Sequence, residues 1–202
     1  VHGGATTINF SGTYTFERLD REYLEREESE VEIKQMVAKA ACSHLKNSSL
    51  IYLDASTTVA SMVPYIPKNK NLKFVTNSPT VASRLMENGL PCYVTCGELK
   101  LLTNALIGSF ALEFLDKFNF STGFFGTNGI HYQAKYTTPD PEECAIKVKA
   151  MSRCYEVFIL ADHTKIGNIA SSTFSDFSRP TLIIDKVDEK YKNLIKNIEI
   201  AM

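Results

Sequence analysis

The sequence predicts an α/β fold in which a mostly parallel sheet is flanked by helices on both faces. Three observations lead there. Leu50-Ile51-Tyr52-Leu53, Val157-Phe158-Ile159-Leu160 and Leu182-Ile183-Ile184 are apolar at every position, as strands covered on both faces must be. Segments with helical periodicity or helix-end signals separate such runs. Small, hydroxylated or amide residues follow most of them directly, a composition suited to strand-to-helix turns along one sheet edge.

The elements follow in order. A Gly/Thr/Ser-rich opening enters one expected strand, Thr6 to Phe10. Glu17 to Lys34 holds eight acidic and four basic residues and reads as a solvated helix face. Ser29 and Glu32 have capping-box spacing, and Ile33, Met36, Val37, Ala40, Ala41 and His44 repeat at helical intervals. Leu50 to Leu53 is a strand, and Ser56 to Tyr65 its helix. Leu72 to Val75 is the next strand. Its helix opens at Ser78 with Pro79 in the first turn and closes at Asn88-Gly89. Cys92 to Thr95 is a third strand, followed by a helix from Ala105 to Phe118. Phe120 to Phe125 is a fourth strand. Asp140-Pro141-Glu142-Glu143 supplies a cap, a proline and a capping-box glutamate for a helix running to Cys154. Val157 to Leu160 and Leu182 to Ile184 complete the sheet.

Composition narrows the function classes. With 22 Lys+Arg against 23 Asp+Glu the net charge is −1, without the concentrated positive excess that a nucleic-acid surface requires. Five cysteines, an odd number with no CxxC pair, fit a reducing cytoplasm rather than a disulfide framework. No apolar run approaches the roughly 20 residues of a membrane span. The four histidines, His2, His44, His131 and His163, are scattered, and Cys92 and Cys96 lack a second ligand pair, so no metal is expected. No GxSxG, P-loop or GxGxxG pattern occurs.

The chemistry gathers in the loops after the strands. Asp54-Ala55-Ser56-Thr57-Thr58, Thr76-Asn77-Ser78, Cys96-Gly97-Glu98, Gly126-Thr127-Asn128-Gly129 and Asp162-His163-Thr164-Lys165 share one edge of a parallel sheet. Ser56, Thr57 and Thr58 at a helix start suit a phosphate without extra positive charge, with Lys147 or Lys165 as counter-charges. Asp54, Asn77, Glu98 and Asn128 offer the donors and acceptors that sugar hydroxyls need. Taken singly, these residues have plainer roles. Ser78 is first a helix cap, Asp140, Glu142 and Glu143 are capping residues, and Lys147 alone would be a solvated lysine.

The order of the motifs resembles the effector-sensing domain of DeoR-family transcriptional repressors. It is carried by Val1-His2-Gly3-Gly4-Ala5, Leu53-Asp54-Ala55-Ser56-Thr57-Thr58, Val75-Thr76-Asn77-Ser78, Gly97-Glu98-Leu99, Gly126-Thr127-Asn128-Gly129-Ile130, Thr137-Thr138-Pro139, Glu142-Glu143 with Lys147, and Ala161-Asp162-His163-Thr164-Lys165-Ile166-Gly167. The resemblance implies a fold related to ribose-5-phosphate isomerases and CoA-transferase-like proteins. It implies an effector that is a phosphorylated sugar or a related metabolite, no catalysis and no cofactor. It also implies homo-oligomers, dimers or tetramers, and DNA contact only through an N-terminal winged helix-turn-helix. Residues 1–18 are then the linker and first strand after that absent domain, and residues 19–202 the sensor. The expected effector-binding residues are Asp54, Ser56, Thr57, Thr58, Thr76, Asn77, Ser78, Gly97, Glu98, Gly126, Asn128, Gly129, Lys147, Asp162 and Lys165. Cys96, Asn128 and His163 stand where the family commonly has Gly, Asp and Ser, which bears on the identity of the sugar. The alternative is a sugar-phosphate isomerase or transferase on the same fold, with Asp54, Glu98 or Asp162 as base and Lys147 or Lys165 as electrophile.

Overall fold

A computed structural model describes residues 23–202. The strand expected at Thr6–Phe10, the junction Val1–Ala5 and the start of the charged run lie outside the described residues.

Two helices come first, α1 (Tyr23–Glu28) and α2 (Val31–Cys42). The capping box expected at Ser29 and Glu32 does not form. Glu30 adopts a left-handed φ of 49° as the N-cap, without a side-chain cap, and the Ser29 hydroxyl donates to Arg26 O at 3.0 Å. Nor is the charged run wholly solvated, because Lys34 is buried.

The sheet then builds outward from β1 (Leu50–Leu53). It passes through α3 (Thr57–Ala60), β2 (Lys73–Thr76), α4 (Pro79–Glu87) and β3 (Cys92–Val94). The helix expected over Ser56–Tyr65 is two short pieces, α3 and a 3-10 turn at Val63–Tyr65 containing Pro64. The Ser78 hydroxyl accepts from Val81 N at 3.2 Å, with Pro79 in the first turn, and Gly89 follows the helix at φ 71°.

The helix expected over Ala105–Phe118 is half strand. β4 (Glu98–Lys100) and β5 (Ala105–Ile107) pair as an antiparallel hairpin. Gly108 at φ 92° then turns the chain into α5 (Ser109–Leu115). Alternation decides it: Ala105 and Ile107 are buried while Leu106 N donates to Asn77 O at 2.7 Å.

β6 (Phe120–Gly126) re-enters the sheet beside β1 and is followed by the short strands β7 (Gly129–His131) and β8 (Lys135–Thr138). After α6 (Pro141–Ser152) come β9 (Cys154–Ala161), β10 (Ser172–Ser175), β11 (Thr181–Ile184), α7 (Glu189–Lys192) and β12 (Asn197–Ile200). The main sheet is all parallel in the order β12-β11-β9-β6-β1-β2-β3, and β10-β8-β7 form a separate antiparallel sheet.

Successive strand residues face opposite sides, so the two faces carry separate cores. Ile51, Leu53, Phe74, Phe124, Phe158 and Leu160 meet Val37, Ala41, Val59, Val81 and Leu85 from α2, α3 and α4. Tyr52, Val75, Phe125, Ile159 and Leu182 meet Ala111, Leu115, Ile146 and Ala150 from α5 and α6. Going outward, strand order runs one way from β1 and the other way from β6. The crevice between these two strands, at their C-terminal ends, is where such sheets bind ligands.

Candidate functional site

Asp54 follows β1 and Gly126 ends β6, so both sit at this switch point. Asp54 N donates to Phe124 O at 3.0 Å, and its carboxylate accepts from Gly126 N at 3.1 Å. Lys147, on α6, donates to that carboxylate and to Gly126 O at 3.0 Å. Both side chains are buried, so this is a charge-assisted clamp closed on itself. Gly126 permits it: a Cβ there would lie 2.2 Å from the Ser56 hydroxyl oxygen.

One turn before Lys147, the buried Glu143 does not complete a capping box. Asp140 alone caps α6, accepting from Glu142 N and Glu143 N at 2.9 Å. Glu143 instead accepts from the Thr103 hydroxyl in the β4–β5 turn. Burial raises its pKa above the usual carboxylate range, against the Thr103 hydrogen bond and the nearby Lys147 and Lys100. Lys100 on β4 pairs with Asp140 and lies 3.8 Å from Glu143. Lys100, Thr103 and Glu143 thus fasten the hairpin over α6, a connection the sequence pattern left unread.

The loop after β2 is a wall. Thr76, Asn77 and Ser78 are buried. The Asn77 side-chain oxygen accepts from Tyr52 OH and Ala55 N, each at 3.0 Å, and its amide reaches Leu106 O at 3.4 Å. The Thr76 hydroxyl accepts from Ser78 N at 3.1 Å. These groups hold three loops together.

The loop after β1 differs. The hydroxyls of Ser56, Thr57 and Thr58 take no hydrogen-bond partner among the described residues. They start a helix of four residues, too short to supply a sizeable dipole, so the expectation of an anion site without added cations does not hold. Two lysines stand on or just beyond elements that pack against α3, Lys34 on α2 and Lys165 after β9. α3 packs against α1, α2 and β9, and just past β9 the buried Asp162 accepts from Thr164 N at 3.0 Å. Its Oδ2 accepts no hydrogen bond and lies 3.5 Å from Lys165 Nζ. Lys34 has a pKa lowered to about 8, first by burial, then by the charge of Lys165, with Asp162 opposing. Lys34 donates to the end of α1, at Arg26 O and at Ser29 O, 2.5 Å away. Lys34 falls on the same helical stripe as the buried Val37, Ala38 and Ala41, a periodic signal that could have found it.

Of the remaining expected residues, Gly97 and Glu98 lie at the start of β4, and Asn128 and Gly129 at the start of β7. Asn128 N donates to Thr137 O at 3.0 Å, and its side chain accepts from the Thr138 hydroxyl at 3.3 Å. Gly129 packs where a Cβ would lie 2.4 Å from Asn168 O. Gly97 adopts φ 130° against Ile107 O, and Glu98 is exposed on β4, not in a loop. His163 donates from its backbone to Asp185 and places Nδ1 2.7 Å from the same carboxylate, fixing the loop after β9. The described residues contain no group of three or more His, Cys, Asp or Glu side chains placed to hold a metal. They also contain no helix long and apolar enough to cross a membrane.

The DeoR C-terminal sensor domain matches residues 29–186. The chain is 34% identical over 189 residues to the uncharacterized HTH-type transcriptional regulator FruR of Bacillus subtilis, covering 94% of this chain and 73% of that protein. It is 30% identical to the HTH-type transcriptional regulator GlpR of Haloferax volcanii, covering 91% and 69%. To the lactose phosphotransferase system repressor of Staphylococcus aureus it is 27% identical, covering 100% and 79%. Among solved structures, ribose 5-phosphate isomerase A of Methanocaldococcus jannaschii superposes with TM-score 0.51 at 16% identity, over 68% of this chain and 55% of that one. The Pyrococcus horikoshii initiation factor eIF-2B gives TM-score 0.52 at 16% identity, over 74% and 51%. The chain spans about half of each, and this likeness concerns the fold alone. By the family match and these relatives, the chain belongs to the DeoR family of transcriptional regulators through their C-terminal sensor domain.

Proposed function

We propose that this domain binds a phosphorylated sugar in the crevice between β1 and β6, catalyses nothing, and passes its occupancy to a DNA-binding domain. The observation that carries the reading is a set of hydroxyls at the switch point, on Ser56, Thr57 and Thr58, that take no partner among the described residues. The helix they start packs against α2, which bears Lys34, and against β9, which Lys165 follows closely. A phosphate group accepts from hydroxyls and lysines alike. Lys147 is buried and engaged by Asp54, so the phosphate counter-charge is assigned to Lys165, which is more exposed and pairs with Asp162 at the longer distance of 3.5 Å. Glu98 and Asn128 then face the sugar, while Asn77 and the Asp54–Lys147 pair shape the floor.

The same pair argues against Asp54 as the base of an isomerase. A general base must be free to take a proton, whereas the Asp54 carboxylate is held by Lys147 and Gly126 N through Oδ2. Bound effector shifts the domain between arrangements by its differential affinity for them. Calorimetry with a panel of pentose, hexose and triose phosphates and their unphosphorylated parents tests the reading. One phosphorylated member binds while its parent does not, and no member is converted to an isomer. Equal binding of sugar and sugar phosphate, or turnover of any member, overturns it.

A further inference from the structure

The charged segment at the start of the described chain holds a half-buried guanidinium. Nε and Nη2 of Arg26, on α1, are buried and find no hydrogen-bond acceptor among the described residues. An arginine keeps its charge and carries five donors, and burying such a group unpaired is costly. Its one aromatic neighbour, Tyr23, has its ring centroid 5.9 Å away. Lys34 lies close enough for the two positive charges to repel.

Resting on the reading of a phosphorylated effector, we propose that Arg26 is a direct ligand of the effector's anionic group and that α1 is a strap which this contact fastens over the crevice. Three placements favour it. α1 packs against α3, the helix bearing Thr57 and Thr58. Lys34 grips the C-terminal carbonyls of α1, which sets where Arg26 sits relative to Lys165 and Asp162. And α1 is otherwise tied down at few points: Tyr23 N donates to Leu102 O at 3.0 Å, and Glu27 pairs with Arg84. A cleft of about 650 Å³ adjoins α1, lined by Tyr23, Leu24, Glu27, Thr80, Leu101, Leu102 and Asn104. An anion shared by Arg26 and the loops after β1 and β9 would join this strap to the sheet. α1 is also the described element nearest the chain's N-terminal side, so ligand occupancy would be felt there first.

The test titrates inorganic phosphate, and the sugar phosphate that binds in calorimetry, into the native chain, Arg26→Gln and Arg26→Lys, with hydrogen–deuterium exchange over residues 23–28. Arg26→Gln weakens both ligands at least tenfold, and Arg26→Lys recovers part of the loss. Phosphate slows exchange in α1 of the native chain but not of Arg26→Gln. The ligand-free melting temperature of Arg26→Gln stays level or rises, because an unpaired buried charge has been removed; a purely structural arginine would lower it. Unchanged affinity in Arg26→Gln, or ligand binding without α1 protection, overturns the strap while leaving the effector reading intact. A native chain that binds neither phosphate nor any sugar phosphate overturns both.

Discussion

Lys147 and Asp54, 93 residues apart, form a buried ion pair at the point where the sheet reverses its strand order. The pair joins α6 to the end of β1, and Gly126 contributes both its N–H and its carbonyl. Removing one partner strands the other in a low-dielectric site, at a cost of about 3–5 kcal/mol. Lys147→Met and Asp54→Asn should each lower the free energy of unfolding by that order in urea titrations. The double variant Asp54→Asn/Lys147→Met should lose clearly less than the sum of the two single-site changes, the signature of a coupled pair. Additive losses would mean the two side chains do not depend on each other.

Gly126→Ala tests the closeness of that packing. The added methyl meets the Ser56 side chain at 2.2 Å and 2.4 Å, so the loop after β1 must shift. A destabilisation of about 1–3 kcal/mol is expected, with weaker binding of any ligand held by Thr57 and Thr58. Normal unfolding with normal binding would show that the loop has room to spare.

Most of the parallel sheet was legible because its strands are apolar on both faces, and that signal survives in four residues. The short antiparallel strands were not. β4, β5, β7, β8 and β10 are three or four residues long, and all but β5 mix polar with apolar side chains. At Ala105–Ile107 the apolar residues also fit a helical pattern, and only the tertiary bond from Leu106 N to Asn77 O decides for strand. Asp54, Asn77 and Asp162 directly follow β1, β2 and β9, because the position of a strand end follows from the apolar run before it. Arg26 and Lys34 were hidden by composition. Amid eight acidic residues a lysine looks solvated unless its helical phase is weighed against its charge. Asn77 was visible as a polar loop residue, but its hydrogen-bond capacity is spent on Tyr52 and Ala55, which no one-dimensional pattern reveals.

Thr57→Ala separates binding from folding. Its hydroxyl has no partner among the described residues, so its loss should leave thermal unfolding nearly unchanged. A hydrogen bond to a charged phosphate is worth about 1.5–3 kcal/mol, and calorimetry should show the best sugar phosphate weakened to that extent. Full affinity in Thr57→Ala would move the phosphate away from α3.

The pH dependence of binding reports on Lys34, whose charged surroundings are Arg26, Lys165, Asp162 and Glu30. Its pKa of about 8, down from 10.5, means that burial and the neighbouring cations disfavour its charged form. The sign for stability follows: the penalty is fully present below about pH 8 and is relieved as pH rises towards the unfolded value of 10.5. This group therefore makes the ligand-free domain more stable between those limits. Anion binding has the opposite sign, since a phosphate dianion favours the protonated lysine. The second ionisation of a phosphate monoester is complete well above about pH 6, so affinity should stay level near neutrality. It should then fall by up to about tenfold between pH 7.5 and 9.5, a loss of roughly 1.4 kcal/mol. Calorimetric titrations across that range should show this decline in the native chain and a flatter curve in Lys34→Met. A native curve flat to pH 9.5 would mean that the charge of Lys34 does not reach the ligand.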